Sequence, residues 1–462
     1  MPCLTGHLRM RPLLDMQGKA RRAAAILAAC VIAAYANALG GPFQFDDYNV
    51  IVHNSAVHSF SAWWQSMPGI RPLLKLSYAA NWLTGADTAG FHALNVVLHG
   101  LNALLVFAVV RRLLIRMNFG DDSASLAFWV AALFALHPAQ TEAVTYISGR
   151  SVCLMATFEF AALLAFLKAD DGPRPIVWRV ASVLLMMLAL AVKENAWSLP
   201  FALLICEALR SGWRWRAALA RTAGHWGVLV TMAGAVVFVP GYWRLLEGSI
   251  QTRTLWENLL TQIDGIFYLI VAPLLSLSLN IDPDVPAKTA WTPHLAAEAV
   301  LLVGAMAIAF WQWRRRPWLA FGLLWFFIML VPTNSILPRQ DVANDRQLYL
   351  AMMGPALILV ITCHRVFPGR LAVPALVAFC ATLGLATALR NADYSSEVAL
   401  WQDASAKSPD KARVFNNLGY ALQQTERFEE ARAAYQRALA LDPAHDKARL
   451  NLSSLPPAQP AR

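Results

Sequence analysis

Asp46 and Asp47 stand side by side in FQFDDYNVIVHN, residues 43–54, just beyond the first long apolar run. Two adjacent carboxylates at a membrane edge can take a proton from a hydroxyl as a general base, or hold a divalent metal ion. A short aspartate side chain keeps its charge close to the backbone, which fixes its position. The same pair can cap a helix or occupy a solvated turn. Further ionisable residues recur at the ends of apolar runs, where burial without a partner is costly. LFALHPAQTEAVTYISGRS at 133–151 carries His137, Glu142 and Arg150, and AVKENA at 191–196 carries Lys193 and Glu194, a structural ion pair or part of a site. The segment 334–349 carries Arg339, Asp341, Asp345, Arg346 and Tyr349. Arginine suits phosphate because its planar fork donates hydrogen bonds in pairs.

The elements that must position these residues are apolar helices. Of 462 residues, 57% are hydrophobic and only 15% charged, against about 25% charged in an average soluble protein. A bilayer accommodates that much apolar surface and a soluble core of this size does not. Apolar runs predict spans near 22–40, 92–113, 124–142, 152–168, 177–193, 196–209, 225–241, 259–279, 294–313, 318–333, 347–366 and 371–389. The first is read as an uncleaved span, since it is long for a signal peptide and further spans follow. The expected fold class is all-α: a polytopic transmembrane helical bundle. His92, Asn95, His99 and Asn102 form one stripe along the second span, a pattern that reads as interhelical hydrogen bonding.

The net charge of +10 does not signal nucleic acid. The Arg and Lys residues cluster in short segments between apolar runs, 10–22, 111–116, 168–179, 210–221, 314–316 and 365–370, as cytoplasmic loops do. That orientation puts the N-terminus inside and 41–91, 143–151, 193–196, 242–258, 280–293 and 334–347 outside. Both flanks of 259–279 then fall outside, so this segment, with Pro273 and SLSLNIDPDVP, is expected to be broken or re-entrant. Six cysteines show no metal or disulfide spacing. Cys30, Cys153, Cys206, Cys363 and Cys380 read as small core residues, and Cys3 stands alone in the N-terminal tail.

Composition changes near 391. Residues 412–445 fit one 34-residue tetratricopeptide (TPR) unit, with Phe415, Leu418, Gly419, Leu422, Ala431, Tyr435, Ala438 and Pro443 on its signature positions. Trp401, Ala404 and Pro409 fall on equivalent positions 34 residues earlier, and a partial third unit reaches Leu452. So short an array must lean on the membrane domain or oligomerise. The carboxylates and cations named above map to one external side, where they suit a phosphate-bearing lipid at the bilayer edge.

Several blocks occur in a recognisable order: FQFDDYNVIVHN; RPLLKLSYAAN at 71–81, beginning with Arg71; FHALNVVLHGLNALL at 91–105; HPAQTEAVTYISGR; AVKENA; and NDRQLYLAMMG at 344–354. With the repeat tail, this resembles the transmembrane and tetratricopeptide-repeat-containing proteins and their bacterial relatives, which look like members of the GT-C glycosyltransferase superfamily. The resemblance implies an inverting sugar transferase that uses a polyprenyl-phosphate sugar, with mannose on protein Ser or Thr in eukaryotes. It implies Asp46 and Asp47 as the catalytic pair, with Asp47 the first choice for the base and its neighbour orienting the acceptor or holding a metal. Arg71, His137, Glu142, Arg150, Lys193, Glu194, Arg346 and Tyr349 become substrate contacts, Lys193 and Arg346 neutralising the departing phosphate. The implied partners are the lipid-linked donor, a protein or glycan acceptor, the bilayer and a protein bound by the repeats.

Two features depart from the family pattern. The eukaryotic relatives carry many more repeats, and AVKENA replaces a serine-lysine-glutamate version of its motif. The short tail implies a bacterial inner-membrane protein with a periplasmic tail. The implied domains are a cytoplasmic segment 1–21, a GT-C-like membrane domain 22–390 with its first external loop at 41–91, repeats at 391–455 and a disordered ending at 456–462. A non-catalytic membrane scaffold for an envelope complex is the alternative. A transporter or lipid flippase comes third, since its ionisable residues would sit near mid-membrane on paired broken helices.

Overall fold

The computed structural model describes residues 10–85, 87–171, 173–211, 214–275 and 278–457. Cys3, the start of the N-terminal segment and the end of the C-terminal one lie outside these residues. The described residues form an all-helical bundle with a helical tail. In chain order the helices are α1 Met10–Tyr35, α2 Phe60–Gln65, α3 Pro72–Thr84, α4 Thr88–Arg116, α5 Ser123–Leu136, α6 Thr141–Val144 and α7 Arg150–Lys168. Then come α8 Pro175–Val192, α9 Leu199–Ser211, α10 Trp215–Phe238, α11 Pro240–Thr252, α12 Leu255–Val271, α13 Pro293–Gln312 and α14 Pro317–Leu330. The chain continues through α15 Leu348–Ala351, α16 Met353–Val366 and α17 Gly369–Asp393. The tail is α18 Glu397–Lys407, α19 Ala412–Gln424, α20 Phe428–Leu441 and α21 Asp446–Ser454.

Among the described residues six helices are long and apolar enough to cross a membrane, and α15 with α16, bent by 61°, makes a seventh. The apolar runs predicted twelve. Four of the others fold as helices of 13 to 17 residues: α5, α9, α12 and α14. At about 1.5 Å per residue these reach roughly 20–26 Å, short of a ~30 Å hydrocarbon core. The run at 124–142 breaks because Pro138 pushes His137 out of helical geometry, to ψ 127°, so α5 stops at Leu136. The run at 259–279 stops at Val271, two residues before Pro273, although Ala272 itself keeps φ −81° and ψ −69°.

α4, α5 and α7 form the middle of the bundle, with α8 against α7 and α14 against α16. Rings interlock there: Phe134 meets Phe160 edge-on at 5.8 Å and Tyr349 at 5.3 Å. The polar stripe on α4 is glue. Asn95 Nδ2 donates to the carbonyls of Val144 (3.1 Å) and Ile147 (3.2 Å), and Asn102 Nδ2 donates to Cys153 O and to Tyr349 Oη, both at 2.9 Å. His99 Nε2 meets Ala135 O at 2.9 Å and His92 Nε2 meets Gly41 O at 3.0 Å. These bonds satisfy carbonyls freed where the chain leaves helix between α5 and α7. Gly149 lets that segment fold back, since a Cβ there would lie 2.5 Å from Glu142 O. The five described cysteines are free thiols.

The two ends of the bundle differ in charge chemistry. At one end the basic segments meet: Arg116 pairs with Asp170 at 2.9 Å, Arg221 Nε with Glu207 at 3.0 Å, and the Arg365 guanidinium lies 5.3 Å from the Trp318 ring. The acidic loop, the segment 137–149, the 193–198 turn and the segments 272–292 and 331–347 gather at the other end. Both ends of α12 meet that second end: Asn258 Nδ2 donates to Ser335 O (2.7 Å), and His137 Nε2 lies 2.9 Å from Leu274 O.

The tail folds as repeat helices, with α19 and α20 antiparallel and α18 and α21 flanking them. Gly419 permits the close approach of α19 to α20, because a Cβ would lie 2.6 Å from the Tyr435 ring. The array leans on the bundle. Lys411 Nζ pairs with Asp282 Oδ1 at 2.6 Å, Asn280 Nδ2 donates to Ser408 Oγ at 2.8 Å, and Arg390 pairs with Asp403 at 2.6 Å.

Candidate active site

The acidic loop is clamped from two sides. From the tail, Glu397 Oε1 accepts from Phe45 N at 2.8 Å, and the Phe45 ring meets Trp401 edge-on at 5.2 Å. Gln44 Nε2 donates to Tyr394 O at 2.6 Å. Phe45 adopts φ 47°, a left-handed turn that separates the directions of its two neighbours. From the bundle, Ser148 and Tyr146 reach the two aspartates.

Asp47 and Asp46 have different surroundings. Asp47 is 1% exposed. Its Oδ2 accepts from Gln44 N at 3.0 Å, and its Oδ1 accepts from Ser148 N at 2.8 Å and from the Ser148 hydroxyl. Burial pushes its carboxyl up to about 7, against those hydrogen bonds. Both oxygens are occupied, so Asp47 holds the loop against the 146–150 turn. Asp46 is half-buried, and its backbone N–H donates to Tyr146 Oη at 2.9 Å. Burial raises the Asp46 carboxyl above its ordinary value, and the Arg346 guanidinium pulls it back down. Asp341 and Arg413 act on it from the same side. Three of the roughly four acceptor positions of the Asp47 carboxylate are taken by Gln44 and Ser148, which leaves one, on Oδ2, for any ion shared with Asp46.

Arg346, whose charge acts on Asp46, lines a polar cleft. The cleft has a cavity volume of about 30 Å³ and is lined by Lys193, Arg339, Arg346, Asn195, Ser198 and Thr333 among others. Arg346 is placed by Glu142, whose Oε2 accepts from Arg346 N at 3.0 Å and whose Oε1 lies 3.3 Å from Arg346 Nε. Lys193 is 7% exposed. Burial, then the fields of Arg71, Arg346 and Arg339, push its ammonium well below its ordinary range. Arg71, at φ 51°, makes a two-pronged pair with Glu194 at the rim, Nε to Oε2 being 2.9 Å. Although burial works against it, Arg71 holds the Glu194 carboxyl down to about 2. Glu142 and Glu194 compensate Arg346 and Arg71, which leaves Lys193 and Arg339 as the cleft's cations in no ion pair among the described residues.

Lys193, Glu194, Arg71, Glu142, Arg346 and Asp46 therefore gather at one place. Three predicted contacts do not join them. Arg150 is wholly buried, donating to Asn95 Oδ1 (2.8 Å), Phe91 O (2.9 Å) and Ser77 O (3.2 Å). Tyr349 points into the bundle toward His99 Nδ1 at 2.8 Å. His137 binds the Leu274 carbonyl, and its Nδ1 accepts from Ala139 N at 3.2 Å. Sequence reasoning missed Tyr146 and Ser148, which lie inside the block TEAVTYISGR, along with the tail's Arg413; Arg339, named with its segment, lines the cleft.

Fold and site together define a multi-pass helical membrane protein whose repeat tail packs over a polar cleft. The tetratricopeptide repeat model matches residues 412–445. The chain is 24% identical to mouse protein O-mannosyl-transferase TMTC3 over 92% of its own length and 52% of the relative's. It is 23% identical to Caenorhabditis elegans protein O-mannosyl-transferase F38B6.6 over 91% of its length and 63% of that protein. It is 30% identical to Drosophila melanogaster protein O-mannosyl-transferase Tmtc2 over 54% of its length and 28% of that protein. With the repeat, these matches make the chain similar, along most of its length, to TMTC-type proteins. The chain spans about half the length of the TMTC3 relatives it matches.

Proposed function

We propose that this chain is a membrane glycosyltransferase, of GT-C type, that moves a sugar from a polyprenyl-phosphate donor to a hydroxyl of a protein acceptor. The observation that carries the reading is a half-buried carboxylate, Asp46, under the field of Arg346, whose guanidinium lines the same cleft as Lys193 and Arg339. The names of the relatives support mannose as the sugar and protein as the acceptor. The basic segments gathered at the opposite end of the bundle support an outward-facing site, in the periplasm of a bacterial inner membrane.

In this reading Asp46 is the base. It accepts the proton of the acceptor hydroxyl as that oxygen attacks the anomeric carbon. A new C–O bond forms while the bond from that carbon to the phosphate oxygen breaks, on the opposite face, with inversion. The leaving phosphate gains charge as the bond breaks, and Lys193, Arg339 and Arg346 stabilise it there. Asp47 fixes the loop that carries Asp46. Glu142 holds Arg346 between base and cleft, and Arg71 with Glu194 shapes the rim.

The test is reconstitution. The purified chain in proteoliposomes is given polyprenyl-phosphate mannose and a Ser/Thr-rich acceptor protein, and hexose addition is read by mass spectrometry. The reading requires a 162 Da increment, about one hexose, on Ser or Thr. If only lipid or polysaccharide gains sugar, the protein acceptor is wrong. If nothing is transferred and the donor does not bind, the enzyme reading fails and the scaffold alternative stands.

A further inference from the structure

Three side chains with ligand atoms converge where α12 meets α13, away from the acidic loop and the polar cleft. Asp264 comes from α12, and His294 and Glu298 come from the first two turns of α13. Each offers one ligand atom, and these atoms lie within 4.8 Å of one another. The spacing of His294 and Glu298, four residues apart, puts both on one face of the helix. His294 Nε2 lies 3.1 Å from Glu298 Oε1. Thr292 caps α13 by accepting from Leu295 N at 3.1 Å, which fixes the turn that carries His294.

A second observation points to a ligand. Glu298 is 3% exposed, and its Oε2 is buried with no hydrogen-bond partner. A carboxylate oxygen left in that state costs free energy unless something satisfies it. The neighbouring position already attracts a cation: Lys288 Nζ lies 3.1 Å from Asp264 Oδ2. The Lys288 backbone is held separately, its N–H donating to Thr261 Oγ1 at 2.9 Å, so its flexible side chain can withdraw without moving the chain.

We propose that Asp264, His294 and Glu298 form a binding site for a single divalent transition-metal ion, with zinc as the best match. Zinc binds both imidazole nitrogen and carboxylate oxygen, so it can take one imidazole and two carboxylates, with the fourth position left to water. Binding replaces the Lys288 ammonium beside Asp264 and gives the orphaned Glu298 oxygen a partner. The site would cross-link the two helices that flank the connection 272–292. That connection carries Asn280 and Asp282, which hold Ser408 and Lys411 of the tail. The ion therefore stiffens the platform on which the repeats sit. None of the three ligands belongs to the proposed transfer site, so this inference stands or falls separately from the enzyme reading.

The full chain, purified in detergent with its affinity tag removed and stripped with chelator, is titrated with zinc by calorimetry and with cobalt by visible absorption. The expected result is one ion per chain, with zinc raising the thermal unfolding midpoint. His294→Gln, at an exposed position that should not affect folding, weakens binding at least tenfold and removes the midpoint shift. Glu298→Gln does the same. His364→Gln, at the other imidazole–carboxylate contact on the opposite end of the bundle, leaves both unchanged. Absence of binding in the unaltered chain overturns the proposal. So does binding that survives His294→Gln, or that His364→Gln removes.

Discussion

Arg413, in the first helix of the matched repeat, donates to Asp341 across 2.7 Å, and Asp341 lies five residues from Arg346 in the same loop-borne segment. The same guanidinium also binds Asp282, with Nε to Oδ2 at 2.8 Å. One tail residue thus grips both connections that border the site. The tail helps shape the site as well as presenting a surface of its own.

Arg413→Ala is expected to loosen the tail. Charge-assisted hydrogen bonds of this kind contribute about 1.5–3 kcal/mol each when partly shielded from water. Hydrogen exchange should rise across 397–454 while the bundle keeps its protection, and transfer activity should fall severalfold. Burial opposes it, but Arg413 holds the Asp341 carboxyl below its ordinary range. A carboxylate held low in the folded state contributes stability at pH values above its unfolded value. That contribution is lost as pH falls through its folded value. Tail docking should therefore weaken on acidification, and Arg413→Ala should remove that pH dependence. Unchanged exchange in 397–454 would show that the ion pairs do not hold the tail.

Lys193 supplies a prediction about donor binding. Its ammonium is pushed well below the ordinary lysine range by burial and by Arg71, Arg346 and Arg339. An incoming phosphate restores the charged form, so donor binding takes up a proton and weakens as pH rises past the free-state value. Lys193→Gln should raise KM for the donor and lower kcat, about 10- to 100-fold in kcat/KM. It should also abolish the proton uptake, measured by calorimetry in buffers of different ionisation enthalpy. Proton uptake that persists in the variant would place the coupled group elsewhere.

Arg150 is expected to matter for folding and not for chemistry. It is 0% exposed and satisfies three acceptors, with its guanidinium 4.9 Å from the Tyr78 ring. Arg150→Met leaves Asn95 Oδ1 unpaired, at about 1–3 kcal/mol if it finds no replacement, and removes a second donor from the Phe91 and Ser77 carbonyls, which lie inside α4 and α3. The variant should express poorly and unfold at a lower temperature in detergent. Surviving folded protein should keep the donor KM of the parent. A folded variant with normal stability and a raised KM would restore Arg150 to the list of substrate contacts.

Parts of this arrangement were legible in the chain. The break after α5 follows from His137-Pro138, because a proline's effect on the preceding residue is local. The repeat at 412–445 follows from residue spacing for the same reason. The stripe His92, Asn95, His99 and Asn102 read as helix–helix glue, and each member does bond a backbone carbonyl. The division of labour between Asp46 and Asp47 was not legible. It depends on Tyr146 and Ser148, about one hundred residues away, and on the left-handed turn at Phe45. Arg413 was missed because it gains meaning only from its long-range partners Asp282 and Asp341. Hydropathy along the chain did not place the ends of the apolar helices, as where α5 stops at Leu136 and α12 at Val271.

The pH dependence of transfer should report Asp46. Its carboxyl sits above the ordinary aspartate range because burial outweighs the pull of Arg346. Activity should rise with pH as this group loses its proton, with a midpoint above that of a free aspartate. Arg346→Gln removes the nearest cation and should move the midpoint higher still. A midpoint that moves down, or does not move, would contradict the assigned pairing.

The contrast between the two neighbouring aspartates tests the central claim most directly. Sugar transfer from polyprenyl-phosphate mannose is measured for Asp46→Asn and Asp47→Asn, each alongside its thermal unfolding in detergent. Asp46→Asn should cut transfer by about 10²–10⁴-fold while unfolding at the temperature of the parent. Asp47→Asn should lower the unfolding temperature, because an amide cannot accept all three of the hydrogen bonds the carboxylate now receives, and its activity should follow the fraction that remains folded. Full transfer by a folded Asp46→Asn protein would contradict the account.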